Sequence, residues 1–207
     1  MTRKSLRCRP IGVALAGALV LLSACGHMPV TSMVKLARTD FATVDPAELR
    51  VAVKLPQTVR PRRDGVRLRV TVKTGSGPAQ VEEFVLRDLN DAGELMALRA
   101  EVEPGTAIYA FRLDPNDLAR VQAFRAAALQ RQASGARSSL TLGVGAEACR
   151  VAAVEDGPIY LTTYLKTAPT RDYIPLMRDV DLRAAVLRTA GAGTTGADLA
   201  AKLPPCR

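Results

Sequence analysis

A strict alternation of apolar and polar residues is the feature that most constrains the fold of this chain. Residues 66–73 have the sequence Val-Arg-Leu-Arg-Val-Thr-Val-Lys, and residues 49–55 repeat the pattern. Successive side chains of a strand point to opposite faces, so a period of two predicts strands with one buried and one wet face. Such half-buried strands are typical of antiparallel sheets.

Five further segments predict strands because they are rich in apolar and β-branched residues. They are Val81–Leu86, Ile108–Leu113, Leu140–Val144, Ile159–Leu165 and Tyr173–Met177. In the first of them the apolar phase shifts across Glu82 and Glu83, which predicts a β-bulge at that point.

One main helix is predicted after residue 114. Asp114 is suited to the N-cap and Pro115 to the first helical position. Leu118, Val121, Phe124 and Ala128 then recur at helical spacing, and Gly135 is a natural end. A second helix is predicted over Val180–Thr189.

These elements predict an α+β fold with a mostly antiparallel sheet and one main helix packed on it. The early strands lack the helical crossovers that parallel pairing needs, which is why antiparallel pairing is expected. A β-sandwich with a flanking helix is the alternative. Residues 46–207 are long enough for a single globular domain with its own core.

The amino-terminal residues predict an export signal over residues 1–24. Arg3, Lys4, Arg7 and Arg9 precede the wholly apolar run Ile11–Leu22. That run suits a signal peptide and is short for a membrane-spanning helix, which needs roughly 20 residues.

The sequence Leu22-Ser23-Ala24-Cys25 ends this run and resembles the lipobox of bacterial lipoproteins. The resemblance implies diacylglycerol transfer to Cys25, cleavage before it and acylation of the new amino terminus. Residues 25–45 would then be a lipidated tether that attaches the protein to the membrane through acyl chains. Gly26 stands where an Asp would mark retention at the inner membrane, so the resemblance implies the periplasmic face of the outer membrane.

The charge of the chain changes once the signal is removed. The full chain carries +9, and residues 1–24 hold four of its 29 basic residues and none of its 20 acidic ones, which leaves +5. A basic domain can indicate nucleic-acid binding. An exported, lipid-anchored domain meets little nucleic acid, so no nucleic-acid partner is expected.

Cys149 and Cys206 are predicted to form a disulfide. Cys8 leaves with the signal and Cys25 carries lipid, so these two thiols remain in an oxidising compartment where disulfides persist. A zinc or redox site would need more ligands or a Cys-x-x-Cys spacing, which the sequence lacks. No metal site and no cofactor are predicted.

The sequence offers no catalytic site. The only histidine, His27, falls in the tether, so the folded body has no base for a Ser-His-Asp arrangement. Residues 191–196 match G-x-G-x-x-G but follow a predicted helix rather than a strand, which indicates a loop. Residues 88–99 begin like a calcium loop, but Ala92 and Arg99 stand where oxygen ligands are required. A turn is predicted there instead.

A basic surface is the best candidate for functional chemistry. If the first two strands pair, several basic side chains share one solvent face, and the connection over residues 56–65 adds three arginines. The candidate residues are Arg50, Lys54, Arg60, Arg62, Arg63, Arg67, Arg69 and Lys73. Arginine suits phosphate and carboxylate groups, so an anionic envelope component or an acidic protein partner is expected to bind there.

The sequence therefore favours a non-enzymatic cell-envelope lipoprotein that serves as a binding or assembly module in the periplasm. A lipid-anchored hydrolase using carboxylates is one alternative. A carrier of small apolar molecules is another, and it would require an apolar cavity between the sheet and the helix.

Overall fold

One antiparallel sheet of seven strands carries the fold. The structure is a computed structural model and describes residues 29, 31–32, 44–135, 138–154, 157–185 and 203–206. The strands are β1 (Arg50–Pro56), β2 (Val59–Thr74), β3 (Gln80–Asp88), β4 (Thr106–Leu113), β5 (Ser138–Arg150), β6 (Tyr160–Lys166) and β7 (Ile174–Asp181). They lie in the order β5-β2-β3-β4-β1-β6-β7, and every adjacent pair is antiparallel.

In the described part of the chain the sheet is accompanied by the helices α1 (Ala92–Ala97) and α2 (Leu118–Ala133), together with short 3-10 turns. The side chain of Asp114 accepts a hydrogen bond from the backbone amide of Asn116, so it caps a 3-10 turn over Pro115–Asp117 that leads into α2. The α-helix itself begins at Leu118, and its own N-cap residue, Asp117, makes no side-chain capping hydrogen bond. The predicted α+β class with a mostly antiparallel sheet is confirmed. None of the helices in the described ranges is both long and apolar enough to cross a membrane.

The first two strands do not pair with each other, so the condition for a shared basic face is not met. β1 pairs with β4 and β6, whereas β2 pairs with β3 and β5. The connection between β1 and β2 comprises residues 57–58 rather than ten residues, because β2 already begins at Val59. The bulge also lies elsewhere: the register shifts within β2, between Pro61 and Val66, while β3 follows β2 without a shift across Glu82 and Glu83.

The end of β7 replaces the start of the second predicted helix. β7 continues to Asp181. Of the predicted second helix, only residues 182–185 are helical among the described residues. The rest of that prediction, up to Thr189, lies outside the described residues.

The sheet curls, as its connectivity requires. β1 and β2 are three strand spacings apart, about 14 Å across a flat sheet. The step from Pro56 to Val59 can span at most about 11 Å. Curling brings apolar residues of distant strands into one core on the concave face, among them Val53 of β1, Leu68 of β2 and Leu165 of β6.

Helix α2 packs on this concave face, where Leu118, Val121 and Phe124 contact the core. The convex face has a smaller cluster of its own around Tyr164 and Leu98. The sheet is therefore covered on both faces, by α2 on one and by the chain between β3 and β4 on the other.

Candidate functional site

An apolar cleft of about 280 Å³ lies between helix α2 and the concave face of the sheet. The sheet contributes Leu68, Val70, Phe84, Leu113 and Leu142, and the helix contributes Val121, Phe124, Ala128 and Leu129. An apolar cavity of about 150 Å³ is enough to hold benzene. The cleft is therefore large enough for a small apolar molecule.

The composition of α2 explains why this space is open. Six of its 16 residues are alanine, and none of its residues is fully buried. Alanine side chains are too short to fill the gap between a helix axis and a sheet, so the helix covers the core without packing closely into it.

Long arginine side chains hold α2 in place. Arg120 donates to the backbone carbonyl of Glu83, and its guanidinium lies 4.4 Å from the centroid of the Phe84 ring. Arg131, at the other end of the helix, donates to the side-chain oxygen of Gln80. These contacts hold the two ends of the helix. The apolar surface of the sheet beneath its middle is left uncovered.

The segment before β1 also lines the cleft. Val44, which falls within the predicted tether, is buried and lines the cleft together with Pro46 and Leu49. The backbone carbonyl of Val44 accepts a hydrogen bond from the Arg125 side chain, which ties this segment to α2.

A second, polar groove of about 950 Å³ contains three of the predicted basic residues. Arg60, Arg62 and Arg63 line it, because the irregularity in β2 after Pro61 breaks the strand alternation and leaves all three exposed. We call it the arginine groove. Tyr109 lies in its wall, and burial raises the pKa of this phenol, an effect that Arg60 partly offsets.

The three arginines differ in how their charge is compensated. Arg62 forms an ion pair with Glu147 at 3.3 Å. Arg60 and Arg63 form no ion pair or side-chain hydrogen bond within the described residues. One carboxylate, Asp88, also lines the groove. Two arginines of the groove thus keep their donors for another partner.

The other five predicted residues do not join this groove. Arg67, Arg69 and Lys73 lie on the convex side of β2, where Arg67 pairs with Glu147 at 2.7 Å and Arg69 with Glu83. Arg50 and Lys54 belong to β1, three strands away. A single basic face, which depended on pairing of β1 with β2, is therefore not formed. Anion binding by the individual residues stays a prediction.

Lys54 is buried instead of exposed. Only 5% of its surface is accessible, and its ammonium donates to Glu103 Oε1 at 2.8 Å. This hydrogen bond lowers the pKa of Glu103 below its usual range. The side of β1 that was predicted to face solvent is covered by the chain between β3 and β4.

That covering segment is held by three carboxylates, Glu94, Glu101 and Glu103, which we call the acidic latch. Each accepts hydrogen bonds from basic or phenolic groups on the convex face of the sheet. The pairs are Glu94 with Lys166 (2.9 Å) and Tyr173 (3.0 Å), Glu101 with Tyr164 (2.8 Å) and Arg178 (3.3 Å), and Glu103 with Lys54. Arg50 adds an ion pair to Glu94 at 3.7 Å.

The two tyrosines that donate to the acidic latch, Tyr164 and Tyr173, stay protonated. Burial is the main cause that raises the pKa of both Tyr164 and Tyr173, and the neighbouring carboxylates raise it further. Both phenols therefore act as hydrogen-bond donors. Since every latch carboxylate is already bound by a cation or a phenol, the latch holds the fold together rather than presenting reactive groups.

Cys149 and Cys206 form a disulfide, with their Cα atoms 5.0 Å apart. It fastens the carboxyl-terminal segment to the end of β5. The backbone amide of Arg150 donates to the carbonyl of Pro204, and the amide of Cys206 donates to the carbonyl of Arg150. Leu203 is buried in the main core.

The remaining motifs have structural roles where the structure describes them. The side chain of Asp91 caps α1 by accepting from the amide of Glu94, so the segment predicted as a turn begins a short helix. Cys25 and the glycines at 191, 193 and 196 lie outside the described residues.

Arg125 and the acidic latch were missed by sequence reasoning. The alanine-rich composition of α2 was a visible signal for an underfilled interface, whereas the latch depends on contacts between residues up to 79 positions apart.

The chain matches no protein-family model, no curated protein and no solved structure.

Proposed function

We propose that this protein is a non-enzymatic lipoprotein of the cell envelope, attached through acyl chains on Cys25, that binds a small apolar molecule in the cleft under α2. The observation that carries the proposal is the cleft itself: an apolar space between helix and sheet that the side chains of α2 do not fill. Ligand sites in proteins are mostly apolar with a few polar groups, and the cleft has this character.

A carboxylate-based hydrolase has less support. Such an enzyme needs two carboxylates that converge on one substrate. Among the described residues, none that lines the cleft is acidic, and the arginine groove contributes only Asp88.

Filling the cleft is expected to weaken binding. The probe is N-phenyl-1-naphthylamine, a neutral apolar dye that fluoresces when it leaves water, titrated into the purified chain. In Ala128→Phe the new ring occupies the cleft, so the affinity for the dye is expected to fall by about tenfold or more, equivalent to about 1.4 kcal/mol.

Ala126→Phe is the matched control. Ala126 is exposed and lies about 200° around the helix axis from Ala128, so the same ring points away from the cleft. This variant is expected to bind the dye like the wild type. Equal affinities of all three proteins, each shown by circular dichroism to be folded, would mean that the dye does not occupy the cleft.

We also propose that the arginine groove binds an anionic component of the envelope. Arg60 and Arg63 support this, because neither has an acidic partner in the described part of the chain. Arginine forms paired hydrogen bonds with phosphate and carboxylate groups. The lipid anchor would keep the groove close to a surface rich in such groups.

Neutralising the groove is expected to weaken binding to anionic membranes. The measurement compares vesicles containing phosphatidylglycerol with vesicles of phosphatidylcholine alone, since any anchor contributes equally to both. For Arg60→Ser/Arg63→Ser the preference for anionic vesicles is expected to fall about tenfold or more, at about 1 kcal/mol per charge. Arg99→Ser/Arg112→Ser removes two other exposed arginines as a control. An equal loss in both double variants would refute a specific role for the groove.

A further inference from the structure

Arg125 is the one charged residue among the described residues that line the apolar cleft. Its side chain is partly buried, and one of its terminal nitrogens donates to the backbone carbonyl of Val44. A guanidinium carries a planar fork of N–H donors, so this bond engages only part of its capacity. No carboxylate pairs with Arg125 in the described part of the chain.

The other arginines of α2 are placed differently. Arg120 lies 3.7 Å from the carboxylate of Asp117, and Arg131 bonds to the side chain of Gln80 without lining the cleft. A cation that has lost part of its hydration beside an apolar space is poorly compensated unless an anion accompanies it. Arg125 therefore provides a site for an anionic group at the cleft.

We propose that the natural occupant of the cleft is a single-chain amphiphile with a carboxylate head, such as a medium-chain fatty acid. The carboxylate binds Arg125, and the alkyl chain lies between α2 and the sheet. This inference rests on the proposed apolar binding site and specifies its ligand class. The cleft, at about 280 Å³, is larger than the apolar cavity of about 150 Å³ that holds benzene, so it has room for an alkyl chain longer than a benzene ring.

The arrangement of polar groups gives the ligand a direction. Gln132, the next polar residue of α2 in the cleft, is seven positions after Arg125, about 10 Å farther along the helix axis. Gln132 is uncharged, so the charge-assisted hydrogen bonds that favour a carboxylate are available at Arg125. The wall between them, formed by Ala128 and Leu129, is apolar and suits the chain of the amphiphile.

Competition between two ligands with the same alkyl chain tests the head-group assignment. Sodium decanoate and 1-decanol are titrated against the dye-loaded chain for the wild type, Arg125→Gln, Arg125→Lys and the control Arg112→Gln, which changes an exposed arginine that does not line the cleft. In Arg125→Gln the affinity for decanoate is expected to fall about tenfold, because charge-assisted hydrogen bonds are lost. Its affinity for decanol is expected to stay within twofold of the wild type. Arg125→Lys is expected to recover most of the decanoate affinity, and Arg112→Gln to match the wild type.

The outcomes separate this inference from the function on which it rests. If Arg125→Gln binds both ligands like the wild type, or loses both equally, Arg125 does not recognise the head group and the inference is overturned. If neither ligand displaces the dye from the wild type, the cleft does not hold an alkyl chain and the inference is overturned. The proposed function fails separately, if the wild type and Ala128→Phe bind the dye with equal affinity. Should Arg125→Gln not fold, the wild type decides: decanoate is expected to bind about tenfold tighter than decanol, and equal or weaker binding overturns the inference.

Discussion

Replacing Cys149 and Cys206 together by serine is expected to lower the free energy of unfolding by about 4 kcal/mol. The bridge joins residues 57 positions apart, and a cross-link over a loop of that length removes much conformational freedom from the unfolded chain. A typical domain is stable by about 5–15 kcal/mol, so the loss is a large fraction of the total. The measurement is chemical denaturation followed by circular dichroism, with wild type and variant at the same protein concentration.

The reduced wild type provides the matched control for this variant. It lacks the bridge but keeps both sulfur atoms, so its unfolding midpoint is expected to coincide with that of the double serine variant. A loss of less than about 1 kcal/mol in both would contradict the expectation. It would mean that the buried Leu203 and the backbone hydrogen bonds of Arg150 hold the tail without the bridge.

Cys25→Ser is expected to abolish covalent lipid attachment. The resemblance of residues 22–25 to a lipobox implies that the Cys25 thiol accepts the diacylglycerol group, a role that a serine hydroxyl is not expected to fill. The measurement is metabolic incorporation of an alkyne-tagged palmitate into the chain, detected on a denaturing gel. Incorporation is preferred to membrane fractionation, because an uncleaved apolar run over residues 11–22 can hold the chain at a membrane without lipid.

Cys8→Ser separates the role of the lipobox position from that of cysteine in general. Cys8 lies before the apolar run and is expected to have no part in lipidation, so this variant should incorporate the label like the wild type. Label that persists in Cys25→Ser and disappears in Cys8→Ser would contradict the lipobox assignment. Loss in neither variant would place the lipid on another residue.

Features that depend on nearby residues were predicted well. The main helix is the clearest example, because its start follows from Asp114 and Pro115 and its stripe of apolar residues is local. Its end follows from Gly135, which has a φ of +84° in the structure, a left-handed conformation that glycine adopts readily. The strands of the sheet also lie close to where their apolar alternation placed them, although β2 is much longer.

The pairing of strands could not be predicted in the same way. Consecutive strands are neighbours in roughly two-thirds of cases, so pairing of β1 with β2 was a reasonable expectation. In this sheet β4 and β6 take the places beside β1, and nothing in the sequence near β1 specifies them. Alternation within a strand reveals that its two faces differ, but it does not reveal which neighbour lies at either edge.

Lys54 shows that the alternation of apolar and polar residues does not by itself predict which side chains are exposed. Its position on the polar side of an alternating strand predicted exposure, and the structure buries it beneath the acidic latch. A buried ammonium is tolerated here because Glu103 accepts its hydrogen bond. The polar face of a strand can thus be an internal contact as well as a solvent face, and only the rest of the fold decides between them.

The disulfide also has a consequence for how the sheet ends. β5 is an outermost strand, and such strands are templates on which another polypeptide can add and start aggregation. Here the bridged tail already occupies the open side of β5 at Arg150, in a parallel bridge with Pro205. Pro204 and Pro205 have no amide hydrogen with which to continue the ladder. The disulfide therefore holds a segment that cannot extend the ladder against the Arg150 end of β5, which hinders addition of another strand at that point of the edge.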